Sequence, residues 1–181
     1  MVYLITGSSH TGKTFHAQQL LEQLHYPYLC IDHLKMGLIR SGYCSLTPES
    51  DDEELTAFLW PVVREIIKTA IENEQNLIVE GCYVPLNYRQ DFDKRYLPNI
   101  KGVCLIFDRQ YIETQYAVIK QYANVAEKRM DDAFCTKEHL LQENARNLAL
   151  CQKYACPYIL ITDTYPTDIS AYLNKQKSPP C

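Results

Sequence analysis

The chain has 181 residues, of which 46% are hydrophobic and 22% are charged, with a formal net charge of -4. This length suits one compact domain with a sizeable core and is too short for two. The acidic balance argues against a general nucleic-acid binder, because such a protein needs a basic surface to displace counterions. A local basic groove remains open.

The eight cysteines are scattered singly along the chain. Cys30, Cys82 and Cys104 lie in or beside apolar runs, where cysteine usually behaves as a small buried hydrophobe. Cys151 and Cys156 lack C-x-x-C spacing, and no histidine pair completes a zinc pattern.

A strand-like run begins at the N-terminus, so no signal segment is expected. No apolar run is long enough to span a bilayer, and we expect a reduced, cytoplasmic protein with no membrane partner.

Short apolar runs alternate with helical patterns along the chain. The first run, residues 2–6, precedes a glycine-rich loop and a helix whose apolar face comprises Ala17, Leu20, Leu21 and Leu24. Further strands are predicted at residues 28–31, 77–80, 103–107 and 158–162, and further helices at residues 33–40, 111–122 and 137–155. This alternation predicts an α/β fold, in which helices cover both faces of a five-stranded parallel sheet.

Another helix is predicted after the acidic run at residues 51–54. Ser50 and Glu53 have the S-x-x-E spacing of a capping box. Pro61 is expected to kink this helix or split it in two, because proline lacks a backbone donor. The acidic run is interpreted as carboxylates at the positive end of a helix dipole rather than as a metal site. The apolar residues at helical spacing are Leu55, Phe58, Leu59, Val62, Ile66 and Ala70.

The loop after the first strand matches G-x-x-x-x-G-K-T, the P-loop or Walker A pattern. Its residues are Gly7, Ser8, Ser9, His10, Thr11, Gly12, Lys13 and Thr14. The two glycines allow close backbone approaches, and successive N–H groups at a helix start bind phosphate. Lys13 is predicted to contact the β/γ-phosphates of ATP, and the Thr14 hydroxyl to contact Mg²⁺. A chance match is on the order of one in a hundred in a chain of this size. The His10 side chain is expected to face solvent or the loop flank.

Three observations narrow the class of P-loop protein. The chain lacks the N-K-x-D segment that reads guanine, and it leaves little room for the assembly surfaces of a motor ATPase. Carboxylates follow or end the predicted strands at Asp32, Glu80, Asp108 and Asp163. In an open parallel sheet the ligand crevice lies at these carboxyl ends, where Lys13 also lies.

The chain resembles the nucleoside monophosphate kinase-like group of P-loop small kinases over nearly its whole length. The strings SSHTGKT, IDHLKMGLIR and VEGCYVP are most similar to 2-phosphoglycerate kinase-like and zeta-toxin-like proteins. True adenylate kinases instead read G-x-P-G-x-G-K and D-G-F-P-R at the first and third of these places. The resemblance implies a three-layer P-loop NTPase fold at residues 1–173, with ATP and Mg²⁺ as cofactors and a short lid at residues 123–135. The polar, proline-containing residues 174–181 are expected to form a flexible tail.

The resemblance also implies roles for the strand-end residues. Asp32 matches the place where this group keeps a carboxylate beside the acceptor hydroxyl. We hypothesise that Asp32 orients this hydroxyl and accepts its proton. A role as N-cap of the next helix is an equal alternative. Glu80 matches a Walker-B-like acid that holds a Mg²⁺-bound water or contacts the acceptor, the alternative being an acid paired with a nearby base. Gly81 would let the backbone pass close to the ligand. Asp108 competes for the metal role and is ranked lower.

Basic and aromatic residues complete the predicted site. Arg40 is expected to bind an acceptor phosphate or carboxylate, since arginine can do so bidentately, whereas Lys35 is expected to be solvated. Arg129 in the lid and Arg146 on the next helix are predicted to stabilise transition-state charge, with surface-helix positions as the alternative. Tyr83 is predicted to bind the acceptor.

The loop at residues 163–166 either flanks the adenine or lets Tyr165 pack there.

The predicted function is an ATP-dependent phosphotransferase that moves the γ-phosphate to a small-molecule hydroxyl or phosphate acceptor. One alternative is an adenylate or nucleotide kinase-like, or zeta-toxin-like, kinase on the same scaffold. Another is a non-catalytic ATP-binding regulator, which the combined presence of Thr14, Asp32 and Glu80 argues against.

Overall fold

The computed structural model describes residues 1–122 and 135–176. These residues form the strands β1 (Val2–Gly7), β2 (Tyr28–Cys30), β3 (Leu77–Glu80), β4 (Ile100–Phe107) and β5 (Tyr158–Ile161). Their helices are α1 (Lys13–Leu24), α2 (Ile31–Arg40), α3 (Asp52–Glu72), α4 (Arg109–Gln121), α5 (Lys137–Tyr154) and α6 (Ser170–Lys175). Two short 3-10 helices, Tyr88–Asp91 and Leu97–Asn99, connect β3 to β4. Among the described residues, no helix is long and apolar enough to cross a membrane.

The strands form one sheet in the order β2-β3-β1-β4-β5, and each neighbouring pair is parallel. The predicted α/β fold with a five-stranded parallel sheet is therefore confirmed. The chain extends to one side of β1 with β2 and β3 and to the other side with β4 and β5. The carboxyl end of β1 therefore lies at a topological switch point, where open α/β sheets bind ligands.

Successive side chains of β1 enter two separate core layers, because side chains alternate across a strand. Leu4 packs in the layer that contains α3, together with Leu59. Ile5 packs in the opposite layer with Leu20 of α1 and Leu173 of α6. Full burial of each such side chain stabilises the fold by about 1.5–3 kcal/mol. The two layers bury both faces of β1 beneath the loop at its carboxyl end.

The start of α3 differs from the predicted capping box. Asp51 is the N-cap, and its Oδ1 accepts a hydrogen bond from the backbone N–H of Glu53 at 2.8 Å. Ser50 instead accepts from the N–H of Thr47 at 2.9 Å. The capping-box prediction was wrong because an aspartate one residue closer to the helix takes the cap. Acidic residues 52–54 occupy the first turn, which confirms the helix-dipole interpretation.

Helix α3 continues through Pro61 as one helix of 21 residues. Pro61 is exposed, so water can satisfy the carbonyl that loses its partner, and the helix is not split. The predicted apolar face was partly wrong, since Val62 is 39% exposed. The buried face of α3 includes Val63 and Ile67 instead.

The first two residues of the predicted tail are helical. Asn174 and Lys175 belong to α6, and the Gln176 side chain donates to the carbonyl of Gly102 at 2.8 Å. Residues 177–181 lie outside the described residues. The polar composition of this segment predicted a frayed end. Helix α6 was missed because it is short and depends on contacts with the sheet.

Candidate functional site

The loop between β1 and α1 requires both of its glycines. Gly7 has φ 141° and Gly12 has φ 82°, conformations that a side chain strongly disfavours. A Cβ on Gly7 would lie 2.4 Å from the carbonyl oxygen of Leu105, and one on Gly12 would lie 1.9 Å from the hydroxyl of Tyr165. The predicted P-loop glycines are therefore explained by packing as well as by backbone conformation.

The interior of this loop is buried and polar. Lys13 is only 7% exposed, and its Nζ donates to the carbonyl oxygen of Ser8 at 2.9 Å. The hydroxyl of Thr11 donates to the same oxygen at 2.8 Å. Gly12 is the N-cap of α1 and provides no side-chain acceptor, which leaves the first-turn N–H groups for an anion. The His10 side chain is partly exposed, and its Nδ1 lies 3.0 Å from the Ser9 hydroxyl.

Glu80 lies beside the loop at the end of β3 and is 1% exposed. Its Oε2 accepts a hydrogen bond from the Thr14 hydroxyl at 3.4 Å. Burial, and a bond to the Glu80 carboxylate, raise the pKa of the Cys30 thiol to about 12, so the thiol remains protonated. The carboxylate and hydroxyl oxygens are hard donors of the kind Mg²⁺ prefers. Thr14 and Glu80 therefore fit a site in which phosphate and water supply the remaining ligands.

Gly81 follows Glu80 with φ 155°. A Cβ at this position would lie 2.8 Å from the Cβ of Ile31. The structure therefore describes a close approach between the end of β3 and the start of α2. This packing brings the first turn of α2 against the end of β3. The predicted approach of this backbone to a ligand stays a prediction.

Asp32 lies in the first turn of α2, whose N-cap is Cys30. The N-cap alternative for Asp32 was therefore wrong, because the helix begins one residue before it. The Asp32 side chain is 43% exposed, and its Oδ1 lies 2.9 Å from Nζ of Lys35. The carboxylate is thus partly exposed while its Oδ1 is paired with a cation.

Lys35 is buried, which contradicts the prediction that it is solvated. Its ammonium group bonds Asp32, donates to the hydroxyl of Tyr83 at 2.8 Å and lies 4.9 Å from the centre of that ring. Burial raises the pKa of Tyr83, so its hydroxyl remains protonated. The i,i+3 spacing of Asp32 and Lys35 was visible in the sequence, but the tyrosine that covers the lysine comes from a distant loop.

The arginines lie farther from this cluster. Arg40 is exposed in the last turn of α2, about 12 Å along the helix from Asp32 at 1.5 Å per residue. Arg146 is exposed on α5 and forms an ion pair with Glu53. The neighbouring Asn147 donates to the Ser8 hydroxyl at 2.9 Å, so α5 contacts the phosphate loop through a residue that the sequence analysis did not single out. Arg129 and residues 123–134 of the predicted lid lie outside the described residues.

The other strand-end acids have local roles. Asp108 is the N-cap of α4, and its Oδ1 accepts from the N–H of Tyr111 at 2.7 Å. Asp163 is exposed after β5 and accepts from the hydroxyl of Thr162 at 3.2 Å. Tyr165, in the loop predicted to flank the adenine, packs against the phosphate loop. Its hydroxyl contacts the carbonyl of Thr11 and His16, a residue that carried no sequence signal.

Comparison with known proteins gives no match to a family model and none to a curated protein sequence. Solved structures with the same fold include a gluconokinase from Sinorhizobium meliloti, with a TM-score of 0.50 and 15% identity over 95% of this chain and 86% of that chain. A shikimate kinase from Bacteroides thetaiotaomicron has a TM-score of 0.51 and 13% identity over 90% and 85%. A deoxyadenosine kinase from M. mycoides has a TM-score of 0.52 and 12% identity over 96% and 95%. The chain therefore has the α/β fold of P-loop kinases.

Proposed function

We propose that the protein is an ATP-dependent phosphotransferase that moves the γ-phosphate to a small-molecule hydroxyl or phosphate acceptor. The observation that carries this proposal is the juxtaposition of two carboxylates with one phosphate loop. Glu80 bonds the P-loop hydroxyl of Thr14, and Asp32 lies on the helix packed against the end of the same strand. A simple phosphate binder needs the loop but has no use for the second, partly exposed carboxylate.

The donor half of the proposed site is the phosphate loop. Backbone N–H groups of the loop and of the start of α1 bind the ATP phosphates, and Lys13 neutralises the β/γ-phosphate oxygens. Thr14 and Glu80 would hold Mg²⁺. When bound, Mg²⁺ neutralises charge on the phosphate oxygens. These residues keep the γ-phosphorus in one orientation, which is the main requirement of phosphoryl transfer.

The acceptor half centres on Asp32. Its carboxylate orients the acceptor hydroxyl and takes its proton as the acceptor oxygen bonds the γ-phosphorus and the bond to ADP breaks. Lys35 keeps one Asp32 oxygen in place, since the two groups are 2.9 Å apart. The Tyr83 hydroxyl accepts a hydrogen bond from Lys35 of this ion pair. Arg40, at the other end of α2, is proposed to bind an anionic group of the acceptor, and Arg146 or Arg129 to stabilise transition-state charge.

The acceptor is not selected by the fold. Kinases named for gluconate, shikimate and deoxyadenosine share this scaffold, so the chemistry must be argued from the site. We propose the 2-phosphoglycerate kinase-like or zeta-toxin-like group as the nearest class, based on the strings SSHTGKT, IDHLKMGLIR and VEGCYVP.

Seven cysteines in the described ranges are free thiols, which supports a reducing, cytoplasmic location.

A coupled assay of ADP release tests this function. MgATP is supplied with a panel of phosphorylated and free hydroxyl compounds, including sugar acids, nucleosides and nucleotides. We expect at least one acceptor to stimulate ADP release by the wild type, and the same acceptor to have no effect with Lys13→Met. Binding of ATP without stimulation by any acceptor would contradict the proposal and favour the non-catalytic regulator.

A further inference from the structure

Tyr165 connects the loop after β5 to the phosphate loop. Its hydroxyl donates to the carbonyl oxygen of Thr11 at 3.0 Å and lies 3.1 Å from Nε2 of His16. The Tyr165 ring stacks on the His16 ring, with centroids 5.6 Å apart and an interplanar angle of 15°. It also lies 6.4 Å from the ring of Phe107 at the end of β4. Two aromatic neighbours therefore fix where the hydroxyl points.

The hydrogen bonds have a defined direction. His16 is fully buried, and this burial lowers the pKa of its ring, while burial raises the pKa of Tyr165. Both groups are therefore neutral near pH 7. A phenol carries one hydrogen, and Tyr165 donates it to Thr11, so the His16 ring must donate to the phenol oxygen. This relation assigns the Nε2–H tautomer to His16 and leaves Nδ1 as an acceptor. It therefore requires the Gln19 amide to turn its NH₂ group, in place of the Oε1 that lies 3.2 Å away, towards Nδ1.

The carbonyl oxygen of Thr11, which accepts the hydrogen bond from Tyr165, is part of the phosphate loop itself. In a planar trans peptide the C=O and N–H groups point in opposite directions. A bond from Tyr165 to the Thr11 carbonyl therefore turns the N–H of Gly12 away from Tyr165. The Tyr165 hydroxyl also lies 1.9 Å from the place where a Cβ of Gly12 would be. It fills the space that the glycine leaves and blocks rotation of this peptide.

From this geometry we infer that Tyr165, oriented by His16, is a positioning residue that holds the Thr11–Gly12 peptide in its phosphate-binding orientation. The inference rests on the proposed function, because it assumes that the loop binds the ATP phosphates. It assigns a role to a residue that does not touch the phosphates. A residue that only stabilised the fold would contribute to unfolding free energy without any effect on nucleotide affinity.

Tyr165→Phe separates these two roles, since it keeps the stacked ring and removes only the hydroxyl. We expect its Kd for MgATP, measured by calorimetric titration, to rise about tenfold, because the Thr11 carbonyl and the His16 ring lose a buried partner. Tyr172→Phe is the matched control. The Tyr172 hydroxyl donates to the carbonyl of Tyr158 at 2.8 Å, away from the phosphate loop. Both variants should lose similar stability in urea unfolding, but only Tyr165→Phe should lose affinity.

Substitution of His16 provides a second route. His16→Gln keeps an N–H donor near the position of Nε2, whereas His16→Leu removes it. We expect His16→Leu to weaken MgATP binding and His16→Gln to recover most of the affinity. In the wild type, ¹⁵N NMR of the imidazole should show a protonated Nε2.

The outcomes distinguish this inference from the proposed function. MgATP affinity that is unchanged in a folded Tyr165→Phe would overturn the inference and leave the kinase proposal intact. If Tyr165→Phe binds MgATP more weakly and the wild type transfers phosphate to no acceptor, the inference is supported and the kinase proposal is overturned. A wild type that binds no MgATP would overturn both.

Discussion

Lys35 shows how a single buried cation can determine the geometry of a carboxylate that we propose to be catalytic. A lysine is almost never buried unless it is paired, and this one lies between Asp32 and the ring of Tyr83. The ion pair engages Oδ1 of Asp32 and restricts the side chain, which is otherwise 43% exposed. The proposed role of Asp32 therefore depends on a residue that need not touch the acceptor.

Asp32→Asn tests the proposed proton acceptor at the residue scale. An amide keeps the size of the side chain but cannot take a proton at neutral pH, so we expect turnover to fall by about 100-fold or more. The Kd for MgATP should not change, because Asp32 does not lie in the phosphate loop. Asp163→Asn, at an exposed strand end, serves as the control and should retain full turnover. Normal turnover by Asp32→Asn would show that this carboxylate is not the base.

Lys35→Met tests the positioning of Asp32. Methionine fills much of the buried volume but removes the charge and the donors, so the carboxylate loses its fixed orientation. We expect KM for the acceptor to rise about tenfold and the Kd for MgATP to stay constant. Tyr83→Phe and the double variant complete a cycle, in which the two effects should be less than additive because one network is removed. Additive effects would indicate that Lys35 and Tyr83 act independently.

At the scale of elements, the caps explain where helices begin and which acids are structural. Asp108, Asp51 and Thr136 each accept a hydrogen bond from a first-turn N–H group. Alpha-2 is different, since its N-cap Cys30 forms no side-chain cap bond and Asp32 lies inside the first turn. An aspartate that is not needed as a cap is available for chemistry.

Asp108→Ala distinguishes a structural acid from a metal ligand. Loss of the cap of α4 should lower the free energy of unfolding by about 1 kcal/mol, as measured in urea. Asp108→Asn should retain most of this stability, because asparagine also caps helices well. Neither change should alter the Mg²⁺ dependence of ATP binding. A weaker Mg²⁺ response in Asp108→Asn would return this residue to the metal site.

At the scale of the whole molecule, prediction succeeded where the signal is local. Apolar runs and the glycine pattern identified the five strands and the phosphate loop, since period and spacing depend on nearby residues. The burial of Lys35 was missed because Tyr83 is 48 positions away. The contact of Tyr165 with the loop was missed for the same reason, since it joins residues 154 positions apart. Such contacts arise from strand order, which periodicity does not contain.

Alkaline stability tests the core as a unit. A hydrogen bond with Cys104 is the main cause that raises the pKa of Cys151 to about 12, and burial raises the pKa of Tyr88 to about 12. Because the folded pKa values exceed the unfolded ones of 9.0 and 10.0, the unfolded chain loses protons first. Stability should therefore be complete below about pH 9 and decline towards pH 12. Urea midpoints that stay constant over this range would contradict the prediction, and Cys151→Ala should decrease the slope.

Calorimetric titration of MgATP into the wild type and into Lys13→Met tests most directly whether this chain holds a triphosphate in its phosphate loop. We expect the wild type to bind in the micromolar range and Lys13→Met to bind about 30-fold more weakly, since this variant loses a buried charged donor. Its fold should be retained, as judged by an unchanged far-UV spectrum. Equal affinity in the two proteins would mean that ATP binds elsewhere and would contradict the account.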